Sequence, residues 1–257
     1  MMSKIVFFDI DGTLLDHEKK LPENTKKAIQ LLKQSGVYTA IATGRAPFMF
    51  ANLREELEIE SFVSFNGQYV VFENEVIYHR PFSVDQMERL EKEANGRNHP
   101  LVFMTDKTMK SNIHHHRYIE ESLGTLKFSH PEYSPHYYRN HDIYQALLFC
   151  KPGEEAYYEE RFSDFRFIRW HEYSVDVLPA GGSKAEGIKK LIAKLGFRIE
   201  DVYAFGDGLN DIEMLQTVGT GVAMGNALPP VKKQADIVTK DVAEDGIYEG
   251  LKRLQLI

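Results

Sequence analysis

The sequence predicts an α/β protein: a discontinuous core built on a parallel sheet and interrupted by an inserted α+β domain. Three observations predict it. The apolar run Ile5-Val6-Phe7-Phe8 ends abruptly in Asp9-Ile10-Asp11-Gly12-Thr13, the pattern of a strand buried on both faces of a parallel sheet. Strand and helix patterns alternate over residues 1–80 and again over 181–257, which implies a parallel sheet covered by helices. Between them, residues 81–180 are richer in Tyr, His and long polar loops, and read as a second domain of about a hundred residues.

In chain order, Leu21-Pro22-Glu23-Asn24-Thr25 marks a helix start with proline near its first turn. Ala28, Ile29, Leu31 and Leu32 supply the apolar face, and Gly36 ends it. Val37–Ala42 reads as a strand leading to Thr43-Gly44-Arg45, Pro47–Leu57 as a helix and Ser61–Phe65 as a third strand. Tyr69–Phe72 and Val76–Tyr78 fit a hairpin around Glu73-Asn74, expected as a small antiparallel flap. In the insert, helices are expected at Asp85–Ala94, His114–Leu123 and Glu154–Phe162. Strands are expected at Leu101–Thr105, Ile143–Cys150, Phe165–Trp170 and Ser174–Leu178. Alternation resumes with a helix after Ser183-Lys184 and a strand at Val202–Phe205 that runs into Gly206-Asp207-Gly208-Leu209-Asn210-Asp211. Ile212–Leu215, Leu228–Gln234 and Gly246–Leu254 read as helices, with strands at Gly221–Met224 and Asp236–Val238.

Composition narrows the function classes. With 43% apolar and 27% charged residues, the chain is ordinary for a globular protein. No segment approaches the roughly 20 apolar residues that span a bilayer, and Asp9 and Asp11 interrupt the N-terminal apolar run too early for a signal peptide. A single cysteine, Cys150, excludes an internal disulfide framework and reads as a buried, inert thiol. Together these features predict a cytoplasmic protein without a membrane partner. A net charge of −7 argues against nucleic acid, whose backbone demands a dense basic face.

Polar residues that packing does not require stand at four strand or helix boundaries: Asp9 and Asp11, Thr43-Gly44, Lys184, and Asp207 with Asn210 and Asp211. In a parallel sheet the strand-end members converge along one edge, where such sheets bind ligands. Carboxylates gathered at one point repel each other unless a cation lies among them. Hard oxygen ligands suit Mg²⁺ better than Zn²⁺. A lysine and a hydroxyl opposite that ion would complete a clamp around a phosphoryl group. Taken singly, each residue has a plainer account: helix cap or Asx turn for Asp9, Asp11, Thr43 and Asp211, and a solvated surface group for Lys184.

Asp9-Ile10-Asp11-Gly12-Thr13, Thr43-Gly44-Arg45, Lys184 and Gly206-Asp207-Gly208-Leu209-Asn210-Asp211 together resemble the four motifs of the haloacid dehalogenase superfamily. The insertion between the second and third motifs, and Asn66-Gly67 after the third strand, resemble its Cof-type sugar-phosphatase branch. The resemblance covers 1–80 and 181–257 and implies a Rossmann-like core with residues 81–180 as a cap that closes over it, excludes water and reads the leaving group. It implies a Mg²⁺-dependent phosphatase acting on small phosphorylated metabolites, a monomer or homodimer, through an aspartyl-phosphate. Asp9 would be the nucleophile and Asp11 the general acid and base. Mg²⁺ would be held by Asp9, the Asp11 main-chain carbonyl and Asp207, with Asp211 in support. Ile10, Thr43, Gly44, Lys184 and Asn210 would hold the phosphate. The i, i+2 spacing of Asp9 and Asp11 lets both side chains flank one group.

Two other functions fit the same residues: a phosphotransferase or phosphomutase, and a non-catalytic Mg²⁺- and phosphate-binding regulator, for which Asp11 would have no use. His114-His115-His116 is read as three helix residues pointing around the axis rather than as a metal site. Tyr137, Tyr138, Arg139 and His141 fit either substrate reading or the insert's own core, and Trp170 is read as core.

Overall fold

The computed structural model describes residues 3–257, which divide into two compact units. One comprises residues 3–45, 50–79 and 183–257, and the other 46–49 and 80–182. The chain forms β1 (Ile5–Phe8), α1 (Glu23–Gln34), β2 (Tyr38–Ala42), α2 (Ala51–Leu57), β3 (Ser61–Ser64), β4 (Tyr69–Phe72) and β5 (Glu75–His79). The second unit follows with α3 (Val84–Gly96), β6 (Leu101–Met104), β7 (Met109–Ser111), α4 (Arg117–Thr125), β8 (Gln145–Phe149), α5 (Ala156–Glu159), β9 (Phe165–His171) and β10 (Ser174–Pro179). The first unit is completed by α6 (Lys184–Leu195), β11 (Val202–Gly206), α7 (Ile212–Thr217), β12 (Thr220–Ala223), α8 (Pro229–Gln234), β13 (Ile237–Val238) and α9 (Gly246–Arg253).

The first unit holds one sheet in the order β13-β12-β11-β1-β2-β3-β4-β5. The six strands from β13 to β3 are parallel, and β4 and β5 extend the same sheet antiparallel. The expected flap is therefore the sheet's own edge, because Phe65–Gly67 makes a tight turn that lays Tyr69 back against Ser64. Every residue of β1 is fully buried, so each of its large side chains contributes roughly 1.5–3 kcal/mol by burial. Ile5 and Phe7 enter a cluster with Ile188 and Leu191 of α6, while Phe8 stacks on Phe205 at 5.3 Å. Strand β1 lies between β11 and β2, where the chain order reverses, and so places its C-terminal end at the topological switch point.

The second unit has a five-stranded antiparallel sheet, β7-β6-β8-β10-β9. One face packs an aromatic-rich core containing Leu90 and Ala94 of α3, Tyr138, Tyr158, Phe162 and Cys150. Burial pushes the Cys150 thiol up to about 11, consistent with an inert sulfur. Helix α4 begins at Arg117 rather than His114, because His116 caps it, its Nδ1 accepting the Tyr118 N–H at 3.2 Å. The three histidines thus precede the helix. The helix expected over Glu154–Phe162 shortens to α5, strand β7 was not expected, and Trp170 lies outside the core cluster, half-buried. Among the described residues no helix is long and apolar enough to cross a membrane.

Candidate active site

The carboxylates at the ends of β1 and β11 meet through one buried lysine. Ser183 caps α6 by accepting the Glu186 N–H at 3.2 Å, so Lys184 leaves the helix at its first turn. Two glycines let that turn approach the sheet. A Cβ on Gly67 (φ +94°) would lie 2.1 Å from the Ser183 carbonyl oxygen, and one on Gly187 2.4 Å from Val63 Cγ1. The Lys184 side chain is fully enclosed; its Nζ donates to Asp9 Oδ1 at 2.5 Å and to Asp211 Oδ1 at 2.7 Å. Burial would discharge a lone lysine, but Asp211 and Asp9 outweigh that effect and hold the ammonium above its usual value.

Asp211 is satisfied at both oxygens. Its Oδ2 accepts the Asp207 and Gly208 N–H groups at 3.0 and 2.9 Å while Oδ1 holds Lys184. Asp207 accepts the Thr13 hydroxyl at Oδ1 (3.0 Å) and the Asn226 amide at Oδ2 (3.4 Å), and Asn226 also donates to the Gly12 carbonyl at 2.8 Å. Gly12 (φ +80°) is required here, since a Cβ would fall 2.3 Å from Asp207 Oδ2. Asp9, Asp207 and Asp211 each present a carboxylate oxygen within 4.8 Å of the others. Among the described residues Lys184, bonded to Asp9 and Asp211, is the only cation paired with these three acids, so the cluster carries an excess of negative charge. Burial, partly opposed by Lys184 and reinforced by Asp211 and Asp11, pushes Asp9 up to about 7. Burial, with help from Asp211, pushes Asp207 up to about 6.

Asp11 sits in a different field. Arg45 donates from Nη2 to its Oδ1 at 2.6 Å and from Nε to its Oδ2 at 2.9 Å, and Lys19 reaches Oδ1 at 2.6 Å. Burial raises this carboxyl, yet Arg45 and Lys19 more than offset it and hold it below the usual range. Thr43 is buried, its Oγ1 accepting the Arg45 N–H at 3.1 Å. The Thr43–Arg45 loop is tied down by the turn after β3: Asn66 N donates to Thr43 O at 3.1 Å and Ser64 Oγ to Arg45 O at 2.7 Å. Asn66 itself adopts φ +50° and brings its amide close to Gly44, whose Cβ would lie 2.9 Å from Asn66 Nδ2.

Asp9, Asp207, Asp211 and Lys184 are thus gathered into one bonded cluster, with Ile10 buried between Asp9 and Asp11. Asn210 is exposed in the turn Leu209–Asp211. Arg45, Lys19, Asn66, Thr13 and Asn226 carry polar contacts at these residues that the sequence did not single out as site members. Arg45 was visible beside Thr43-Gly44, and Asn66 before Gly67; Lys19 and Asn226 carried no signal.

A family model described as haloacid dehalogenase-like hydrolase matches residues 6–251. YkrA of Bacillus subtilis (strain 168) is 52% identical over 257 residues, 100% of both chains. A solved structure from Geobacillus kaustophilus HTA426 is 61% identical, covers 99% of each chain and superposes with a TM-score of 0.96. The HAD subclass IIB sugar phosphatase BT4131 is 29% identical, covering 99% of this chain and 100% of its own, with a TM-score of 0.85.

Proposed function

The chain belongs to the haloacid dehalogenase-like hydrolase family, and on that premise we propose that it hydrolyses phosphomonoesters of small hydroxylated metabolites through an aspartyl-phosphate on Asp9. The observation that carries this reading is the Lys184 bridge. It fixes Asp9 by Oδ1 at the switch point and leaves its other oxygen to attack phosphorus. In the first step that oxygen bonds to phosphorus, the ester P–O bond breaks, and Asp11 gives its proton to the leaving alkoxide. In the second, Asp11 takes a proton from water, the water oxygen bonds to phosphorus, and the aspartyl P–O bond breaks to free phosphate. Thr43, the N–H groups of Ile10 and Gly44, Lys184 and Asn210 are the groups assigned to the phosphate oxygens.

The donor set fits Mg²⁺. It is all oxygen, carries excess negative charge and includes two carboxyls raised by burial. Asp9, Asp207 and the Asp11 main-chain carbonyl would hold the ion. Asp211, whose two oxygens are already engaged, orients the Asp207 loop and Lys184 instead. When bound, the ion neutralises charge on the phosphoryl group. The sugar phosphatase named above supports sugar phosphates as the substrate class.

The test is phosphate release from an aryl phosphate with Mg²⁺. The wild type should turn over, and Asp9→Asn should lose at least ~10³-fold in kcat. An unchanged rate in the variant would overturn the nucleophile assignment. Phosphoryl transfer to added sugars exceeding phosphate release would make the enzyme a phosphotransferase.

A further inference from the structure

Asp207 differs from the acids around it in what grips it. Asp9 and Asp211 share Lys184, and Asp11 is forked by Arg45. Among the described residues Asp207 has only neutral side-chain partners, the Thr13 hydroxyl at Oδ1 (3.0 Å) and the Asn226 amide at Oδ2 (3.4 Å). Neutral donors hold a carboxylate in place and leave its charge uncancelled, which suits an acid that serves a cation.

Asn226 makes two further bonds. Its Nδ2 donates to the Gly12 carbonyl at 2.8 Å, and its Oδ1 accepts the Val242 N–H at 2.9 Å. A carbonyl can only accept and an N–H only donate, so these partners fix which way the amide faces. One side chain thus straps the turn after β1 to Asp207 and to the segment after β13. Gly12 follows Asp11, whose main-chain carbonyl is assigned to the ion, so a hold on the next carbonyl along restrains that ligand as well. The far end of the strap is firmly seated. Met224 donates its N–H to Gly206 O at 3.0 Å and Gly225 to Lys240 O at 2.8 Å, and a Cβ on Gly225 would lie 2.3 Å from the Asp241 nitrogen. Asp241 in turn caps Val242–Glu244, its Oδ1 accepting the Ala243 N–H at 2.9 Å. A bridge seated on main-chain atoms at both ends allows the groups it holds little play.

We propose that Asn226 is a positioning residue for the cation site, restraining the Asp11 carbonyl and Asp207 so that the site prefers Mg²⁺ to Ca²⁺. Mg²⁺ demands near-ideal octahedral geometry, whereas Ca²⁺ accepts longer and less regular coordination. A looser site therefore loses Mg²⁺ first. The proposal rests on the Mg²⁺ assignment made above.

Mg²⁺ and Ca²⁺ are titrated calorimetrically into the full-length wild type and into Asn226→Leu and Val242→Pro. Leucine keeps the bulk of Asn226 and removes all three bonds. Proline removes only the anchoring N–H, at the first position of its turn, where it is tolerated; Asp241 before it is already extended at φ −59°, ψ 151°. The Mg²⁺ dissociation constant should rise at least ~10-fold in Asn226→Leu and by a smaller factor in Val242→Pro, with the Ca²⁺ constant moving less in both. Unfolding midpoints report folding, and Val242→Pro decides alone if Asn226→Leu does not fold. A Mg²⁺ constant unmoved in the folded variants overturns the proposal. So does an equal loss for both ions, the mark of general damage. A wild type that binds no Mg²⁺ overturns it together with the Mg²⁺ assignment. A wild type that binds Mg²⁺ but releases no phosphate from an aryl phosphate defeats the phosphatase reading alone, and the two titrations still judge Asn226.

Discussion

Arg45 grips both oxygens of Asp11 in a fork, Nη2 to Oδ1 at 2.6 Å and Nε to Oδ2 at 2.9 Å. A carboxyl held below its usual range is ionised at neutral pH, able to accept a proton but poor at giving one. General acid work on an alkyl leaving group needs the protonated form, so in the mechanism proposed above Arg45 would set the pH at which that work stops. In Arg45→Met, burial acts on Asp11 against Lys19 alone. The alkaline limb of kcat/KM for an alkyl phosphate should move up by about one pH unit. A limb that stays in place would mean that Asp11 is not the acid.

Among the described residues Lys184 is the one cation bonded to both Asp9 and Asp211, and its side chain is fully enclosed. Replacing it by methionine strands two buried carboxylates. Breaking a buried pair of this kind costs about 3–5 kcal/mol, so Lys184→Met should lower the unfolding midpoint sharply and abolish turnover. Adding Asp9→Asn in the same chain removes one stranded charge and should recover part of the stability but no activity. A double variant no more stable than Lys184→Met would refute this account.

Those two clusters mark the boundary of what the sequence discloses. The acids at the ends of β1 and β11 were legible because an apolar run that stops at a carboxylate is a local pattern with a local cause. Placing them together needed only the rule that parallel strands end on one edge. The partners of these acids are another matter: Lys19 is bonded to Asp11, 8 positions away, and Asn226 to Asp207 and the Gly12 carbonyl, 19 and 214 positions away, and nothing near them in sequence signals it. Local rules also failed where a residue took an atypical job. His116 caps α4 although histidine is no usual cap. Trp170 reads as core by composition, yet it is half-buried and stands outside the core cluster. The β4–β5 hairpin was legible as a hairpin; its union with the main sheet depends on the positive φ of Phe65 and Asn66.

Cation affinity should depend on pH with a definite sign. Asp9 at about 7 and Asp207 at about 6 both lie above the ordinary 3.8. Each therefore stabilises the metal-free fold in acid, and that contribution is lost as pH rises through these values. A bound cation reverses the preference by requiring both groups ionised. The Mg²⁺ dissociation constant should fall between about pH 5.5 and about pH 7.5, by up to about tenfold per unit for each proton released, and level off above. Calorimetric titration across that range checks it; an affinity indifferent to pH would remove Asp9 and Asp207 from the ligand set.

Gly67 and Gly36 both have positive φ, +94° and +74°, but differ in surroundings. A Cβ on Gly36 meets nothing within 4 Å, so alanine there pays only the backbone strain of about 1 kcal/mol. A Cβ on Gly67 would lie 2.1 Å from the Ser183 carbonyl oxygen, a main-chain atom that cannot turn aside. Relief requires the first turn of α6 to back away from β3, and Lys184 leaves from that turn. Gly67→Ala should therefore cost more stability than Gly36→Ala and also lower kcat, because withdrawal lengthens the Lys184 contacts to Asp9 and Asp211. Gly36→Ala should leave kcat intact. Unfolding midpoints and aryl phosphate turnover for the pair decide the matter. Equal activity in both variants would show that the seat of α6 does not govern the position of Lys184.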